Sequence, residues 1–564
     1  MAFDPQVFKS QFPLFTLEDN QSLVYFDNAA TTQKPQCVMD AITHFYTHNN
    51  GNAQRASHRL ARAATNMLED TRRLATAFLG ANSPREVVFT SGATEGLNLV
   101  SHGLGEHLQA GDEILLTHSE HHANILPWQR VAQSCSASLG FLPPESLLNV
   151  DHLLSLVTPH TRIIALSGAS NVLGNLLDLS LIAAIKERFP QLIVVLDASQ
   201  LACHVPLQAS NWQCDFLVCS AHKIYGPTGI GLLFGREAVL HTLSPWMVGG
   251  EMVDKVSSQS SCFTAGVQRF EAGTSALGAI AGLRACLQFW QHQDRSAMQH
   301  YEQSLTDYLY QQLASVCDNS DLQLVSSPQQ NVGMATLVVS VNAVSSSSSP
   351  QSLFSLGDLA HYLDACDIAV RVGDHCAQLL WQSLAETHGS DKGLRISLAA
   401  YNTRDDVDRL IKAIQAFLAL SDSSDVANVP HEVEDWSDLD ELDLLAVTSW
   451  QQRYKLLLQW GARLTPKPAI RQEVYVVRGC EANVWLKHTR IDDKHYFAID
   501  SDANTIKGLA ALMLVWLNGK TTSEVRKADV YTRYQQLGLQ KHLTISRANG
   551  FRALLDSALA WCDE

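Results

Sequence analysis

A mostly parallel α/β sheet covered by helices, followed by a separate and smaller α+β unit, is the fold class that the sequence predicts. Two observations carry it. Apolar runs rich in Val, Ile and Leu alternate with helical patterns: EVVFT at 86–90, DEILLT at 112–117, RIIALSG at 162–168 and LIVVLD at 192–197. Continuous apolar strands separated by helices imply a parallel sheet buried on both faces. An acidic stretch from Ser421 to Asp443, with nine Asp or Glu and no Lys or Arg, then sets off the C-terminal part of the chain. Such a run is self-repelling and solvated.

The 564 residues are too many for one ordinary core. We expect a body over 1–420 with a small α/β subdomain from about 290, a linker over 421–446 and a unit over 447–564. The hydrophobic share of 46% with 17% charged residues excludes a disordered chain. A formal charge of −16 argues against a nucleic-acid surface, and no apolar run is long enough for a membrane span. The opening MAFDPQVFKSQFPLF lacks a basic-then-apolar signal, so a cytoplasmic location is expected. The 12 cysteines contain no C-x-x-C pair, so neither a metal site nor a disulfide framework is signalled. Cys135, Cys219 and Cys286 lie in apolar surroundings and read as inert packing.

Along the chain, 290–315 reads as a helix, SSSSSP at 345–350 as a surface loop and DDVDRLIKAIQAFLAL as the helix that closes the body. In the last unit SWQQRYKLLLQWG reads as an amphipathic helix and VYVVRGCEANVWLKHT as strand-loop-strand. TIKGLAALMLVWLNGK reads as an apolar helix stopped at Asn518-Gly519.

Chemistry gathers just past the strand ends, where open α/β sheets bind ligands. SAHKIYGPTGIG at 220–231 places Lys223 in a glycine-rich setting. A lysine that forms a Schiff base with pyridoxal phosphate needs an acid for the pyridine nitrogen, donors for the phosphate and a face for the ring. Asp197 ends LIVVLD, with Gln200 three residues on. SGATEGLNL at 91–99 offers Thr94 and backbone N–H groups at a helix start. Ser220 and His222 add donors, and His121 in SEHHANILPW could stack on the ring. Cys376 in RVGDHCAQ and Cys480 in VRGCEAN are the two cysteines in glycine loops beside an arginine, where a thiolate is favoured.

FDNAATTQKP, SGATEGLN, EHHANILPWQ, SNVLGN, SAHKIYGPTGIG, EAGTSALG, GDHCAQ and LRISLAAYNT occur here in the order seen in fold-type I pyridoxal-phosphate enzymes of the aminotransferase class V group. Across about 5–418 they resemble the group II cysteine desulfurases of the SufS/CsdA kind. The resemblance implies Lys223 as the Schiff-base lysine and Asp197 at the pyridine nitrogen. Gln200 would lie near the phenolic oxygen, His121 over the ring and Asn171 near substrate and cofactor. Thr94, Ser220 and His222 would hold the phosphate. Thr274 would reach the phosphate of a neighbouring subunit in a homodimer, and Arg395 would clamp the carboxylate of the L-cysteine substrate. Cys376 would take the substrate sulfur as a persulfide, aided by Arg371 and His375. Gln54 stands where relatives commonly have histidine, a role His58 could take, and Asp374 places a negative charge beside Cys376.

From about 447 to 564 the chain is similar to the SufE/CsdE sulfur acceptors, through WQQRYKLLLQWG, RGCEANVWL, DSDANTIKGLAALM and LTISRANGFRALL. That resemblance implies Cys480 as acceptor of sulfur from Cys376, with a downstream sulfur-accepting protein beyond it, such as an iron–sulfur scaffold or a thiolation enzyme. Two other readings stay open: a selenocysteine lyase, and a desulfurase whose last unit regulates or docks without carrying sulfur. No metal is implied.

Overall fold

The computed structural model describes residues 3–54, 57–143, 147, 149–339, 354–421, 439, 441–447, 450–478, 483–501, 503–538 and 545–563. They form two compact units. One comprises Met1–Gln312, Leu324–Leu337 and Gly373–Arg404; the other comprises Leu313–Gln323, Val338–Val372 and Asp405–Glu564.

The first unit is built on a seven-stranded sheet. Its strands lie in the order Val87–Thr90, Gly231–Gly235, Phe216–Ser220, Ile193–Asp197, Thr161–Ser167, Glu113–Thr117 and Ser138–Leu142. Only Gly231–Gly235 runs against its neighbours; every other pairing is parallel. The four apolar runs are therefore strands, and alternate side chains go to opposite faces. Ile164, Leu166, Val194 and Leu196 enter one hydrophobic cluster, while Ile163, Ala165 and Val195 enter another. Burial on both sides explains why these strands read as unbroken apolar runs.

The expected helix over 290–315 is instead two helices, Leu277–Gln291 and Arg295–Cys317. The break falls where Asp294 accepts the Ala297 N–H at 3.0 Å and so caps the second. A smaller antiparallel pairing joins Met334–Val339 to Gly393–Ser397 and sets Thr336 opposite Arg395.

In the second unit, helix Trp450–Arg463 packs closely on helix Asn504–Leu517. Two glycines permit this: a Cβ on Gly508 would overlap the Leu457 carbonyl, and one on Gly461 the Asn504 carbonyl. The apolar helix ends as expected, with Asn518 as its cap and Gly519 at φ 69°. Its start is unusual. Ala503 at the N-cap has no side chain to offer, and Asp358 of helix Leu356–Ala365 takes its place. The buried Asp358 carboxylate accepts from Thr505 Oγ1 at 2.8 Å, Thr505 N at 3.4 Å and Asn504 N at 3.3 Å. Tyr454 donates to the Asp358 carbonyl at 2.7 Å and lies against Tyr362 and Phe417. The elements that the sequence divides between body and last unit thus meet within one compact unit here.

Strand-loop-strand over 474–489 is corrected. Glu473–Tyr475 is a 3-10 turn and Val476 makes only an isolated bridge to Trp485, because the Tyr475 and Val476 N–H groups bond back to the Gln472 and Glu473 carbonyls at 3.0 and 3.2 Å, while strand Val484–Ile491 pairs with Lys494–Ser501. Glu441–Ala446, read as linker, is helical. Its Glu441 accepts from the Trp516 indole at 2.5 Å and from Arg533 at 2.9 Å, so this acidic side chain is paired.

Candidate active site

Lys223 ends the 3-10 turn that follows strand Phe216–Ser220, and Asp197 ends the neighbouring strand. Their side chains therefore rise at the same edge of the sheet. Burial draws the Lys223 ammonium down to about 8, with Asp197 and Cys376 raising it and Arg395 lowering it. These four groups sit within one electrostatic neighbourhood. Asp197 is buried, and its Oδ1 accepts the Ser199 N–H at 2.9 Å.

His121 precedes a short turn, where its Nδ1 accepts the Ala123 N–H at 3.0 Å. Burial, together with the Lys223 charge, lowers its pKa to about 4, so the ring is neutral with its proton on Nε2. His222 is likewise drawn to about 4 by burial, then by Lys223 and Lys34. Buried Gln200 donates to the Ala29 carbonyl at 2.9 Å, fixing the FDNAATT loop beside the sheet. Asn28 ties the same loop to Ser397 at 2.7 Å.

The turn from strand Val87–Thr90 into helix Ala93–Gly105 brings backbone amides next to Ser220, whose Oγ accepts the Ala93 N–H at 2.9 Å. A Cβ on Gly231 would lie 2.6 Å from the Gly92 Cα, so only glycine fits under this turn. Thr94 is exposed at the helix start. Thr274 is also exposed, in a shallow cleft with Ser91, Glu95 and Gly229. Its loop is held by Glu271, which takes a bidentate bond from buried Arg72 at 2.7 and 2.8 Å and accepts the Phe89 N–H at 2.8 Å.

Cys376 is exposed in a loop that closes onto the same site. His122 N–H donates to the Cys376 carbonyl at 2.8 Å, and Asn171 Nδ2 to the His375 carbonyl at 2.7 Å. Arg395, 3% exposed, donates to the Asn171 carbonyl at 2.7 Å. Asp374 does more than add charge: its Oδ1 accepts the Cys376 N–H at 3.1 Å and shapes the loop. His375 is buried, with Nε2 3.2 Å from the Gly393 carbonyl. His58 caps helix Arg59–Leu79 through the Ala61 N–H, and the Gln54 N–H donates to Thr65 at 2.7 Å. The thiols read as packing are confirmed as such where burial raises them, Cys219 to about 12 and Cys286 well above its ordinary range.

Lys223, Asp197, His121, His222, Asn171, Gln200, Ser220, Arg395 and Cys376 are thus gathered in the first unit. Cys480 lies outside the described residues, as does the loop at 345–350. Sequence reasoning missed three groups: Glu120, Lys34 and His122. Glu120 is fully buried and accepts from Ser167 Oγ at 2.5 Å, Thr117 Oγ1 at 2.7 Å, Asn124 Nδ2 at 2.7 Å and Ser167 N at 3.1 Å. Burial raises it to about 7 despite those donors. Lys34, lowered to about 8 by burial, donates to Thr31 Oγ1 at 3.1 Å and lies 3.3 Å from the His222 carbonyl. The polar letters of EHHANI and ATTQKP were the available signal for all three.

The donor set fits pyridoxal phosphate. A buried lysine drawn down to about 8 lies near a buried carboxylate one strand away, and a glycine-floored helix start offers amides and hydroxyls to a phosphate. Among the described residues no cluster of His, Cys, Asp and Glu is arranged to hold a metal ion, and no helix is long and apolar enough to cross a membrane.

Residues 24–410 match the family Aminotransferase class-V, and residues 441–560 match SufE, the Fe-S metabolism associated domain. A probable cysteine desulfurase of Pseudomonas putida is 37% identical over 74% of this chain and 99% of its own. One from Mycolicibacterium paratuberculosis is also 37% identical, and this chain spans 58% of its length. The crystal structure of the cysteine desulfurase CsdA (S-sulfonic acid) from Escherichia coli superimposes with a TM-score of 0.65 at 34% identity, covering 74% of this chain and all of that one. With a pyridoxal-phosphate donor set on this fold, the chain belongs to the cysteine desulfurases of the aminotransferase class-V family and carries a SufE domain behind that body.

Proposed function

We propose that the protein releases sulfur from L-cysteine as a persulfide on Cys376, leaving L-alanine, and relays it to Cys480. The observation that carries this reading is the placement of Cys376: an exposed thiol within the electrostatic reach of Lys223, in a loop bonded to the residue next to His121. Lys223 would hold pyridoxal phosphate covalently and move the substrate α-proton. Asp197 would keep the pyridine nitrogen protonated, Gln200 would face the phenolic oxygen and His121 would cover the ring. Thr94, Ser220 and His222 would hold the phosphate, with Thr274 reaching it from the second subunit of a homodimer. Arg395 and Asn171 would orient the substrate carboxylate. When bound, the cofactor supplies the electron sink for the substrate carbon.

The thiolate of Cys376 attacks the substrate sulfur, the carbon–sulfur bond breaks, and protonation at that carbon completes alanine. Cys480 then attacks the outer sulfur of the Cys376 persulfide, which restores the Cys376 thiolate. We assign the body to 1–420, the linker to 421–446 and the acceptor to 447–564, with sulfur passing onward to an iron–sulfur scaffold or another sulfur-using protein. The SufE match over 441–560 supports that destination.

Mass spectrometry after brief incubation with cysteine, without reductant, tests the relay. Added sulfur on peptides containing Cys376 and Cys480, with the second lost in Cys376→Ser, is the expected result. Sulfur on Cys376 alone would make the last domain a docking module, and sulfur on neither would overturn the persulfide route.

A further inference from the structure

We infer that His122 is a positioning residue for the sulfur-accepting loop, holding Cys376 at a fixed distance from the His121 side of the site. This rests on the reading of Cys376 as the accepting thiol. The loop has two consecutive non-glycine residues in the left-handed region, His375 at φ 51° and Cys376 at φ 58°. Side chains with a Cβ disfavour that conformation, so the turn must be held by its surroundings.

His122 holds it at two points. Its backbone N–H donates to the Cys376 carbonyl at 2.8 Å. Its imidazole Nε2 accepts the Gln378 N–H at 3.2 Å, the first amide of helix Gln378–His388. That helix has Ala377 at its N-cap, with no side chain to satisfy the free amides. An imidazole from a distant part of the chain therefore replaces the missing cap, and accepting through Nε2 requires the neutral ring with its proton on Nδ1.

Adjacent residues face in two directions. The His121 ring belongs to the group around Lys223, while His122 grips the loop. One peptide unit thus separates the ring-covering histidine from the clamp on the cysteine. Glu120 and Asn124 anchor this segment from beneath through their 2.7 Å bond. Both bonds of His122 go to backbone atoms of the loop and its helix, so its role is to position the thiol.

The test compares holoenzyme with His122→Ala and His122→Gln, the latter retaining an acceptor at similar reach. In His122→Ala we expect amide exchange at Gln378 to rise about tenfold and kcat for alanine formation to fall about tenfold. KM, melting temperature and cofactor absorbance should stay near native, which a merely structural role would not allow. His122→Gln should restore both exchange and kcat to within about threefold. If the alanine variant does not fold, His122→Asn, too short to reach Gln378, takes its place with the same expectations. Native exchange at Gln378 and native kcat in the alanine variant would overturn the proposal, as would failure of glutamine to rescue either. Exchange at Gln378 decides the clamp even in a protein whose Cys376 takes no sulfur, so the two readings fail separately.

Discussion

Arg395 Nη2 lies 3.4 Å from Asp27 Oδ1, so the guanidinium that would clamp the substrate carboxylate already has a carboxylate neighbour. Removing a carboxylate from beside a buried cation is unfavourable. Asp27→Asn should lower stability by about 3 kcal/mol, measured by chemical denaturation. It should also lower KM for cysteine, because the substrate carboxylate would no longer compete with Asp27 for Arg395. An unchanged KM in steady-state assays would separate Arg395 from substrate binding.

Glu120 gives the protein a pH dependence of defined sign. Its pKa is raised from 4.5 to about 7, so the folded state holds a proton that the unfolded state has released. The stabilisation is complete below pH 4.5 and is lost as pH rises through about 7, by about 3 kcal/mol in all. Protonated Glu120 can donate to Thr117 or Ser167, whose hydroxyls can turn round. An amide cannot, because one of its hydrogens must face the Ser167 or Asn124 N–H. Glu120→Gln should therefore melt lower than the native protein at pH 5 and lose the downward slope to pH 8.

Lys223 should load cofactor with a midpoint near pH 8, the value to which burial and Arg395 lower it against Asp197 and Cys376. The neutral amine is the nucleophile, so uptake of pyridoxal phosphate by apoprotein should quicken as pH rises from 7 to 9. Following its absorbance in a stopped-flow mixer checks this. Asp197→Asn removes a group that raises the lysine and should move the midpoint lower.

Asp358 caps a helix from outside it, so its loss should exceed that of an ordinary N-cap. Asp358→Ala leaves the N–H groups of Asn504 and Thr505 and the Thr505 hydroxyl without their acceptor in a buried setting. A loss of about 3 kcal/mol is expected. Thr505→Val should lose about 1 kcal/mol, and the double variant should lose less than the sum. Additive losses in denaturant titrations would mean that the two side chains act independently.

The first unit was legible because its signals were local and periodic. Residues with chemistry lie just past several of the apolar strands, whose carboxyl ends a parallel sheet brings to one edge. Lys223 lies in the turn after one strand and Asp197 ends the neighbouring strand, so the sheet brings both to one edge. His122 and Asp374 act through backbone partners that letters do not reveal, and one imidazole among several carries no mark of the helix it caps. Glu120 carries no local mark of its burial among four donors, which come from residues on three separate elements. In the second unit, the Asp358 bond spans 147 positions between it and Thr505 and has no local signature. The first half of 474–489 is no strand, despite its β-branched composition, because its amides turn back to the Gln472 and Glu473 carbonyls instead of entering a ladder.

The left-handed backbone at Cys376 sets stability against chemistry at a single position. Glycine would adopt φ 58° without strain, whereas a residue with a Cβ costs about 1 kcal/mol there. Cys376→Gly should therefore withstand heat better than Cys376→Ala while both are inert for sulfur transfer. Replacements ranked by thermal tolerance alone would favour the glycine, so resistance to heating and possession of the thiol pull this site in opposite directions.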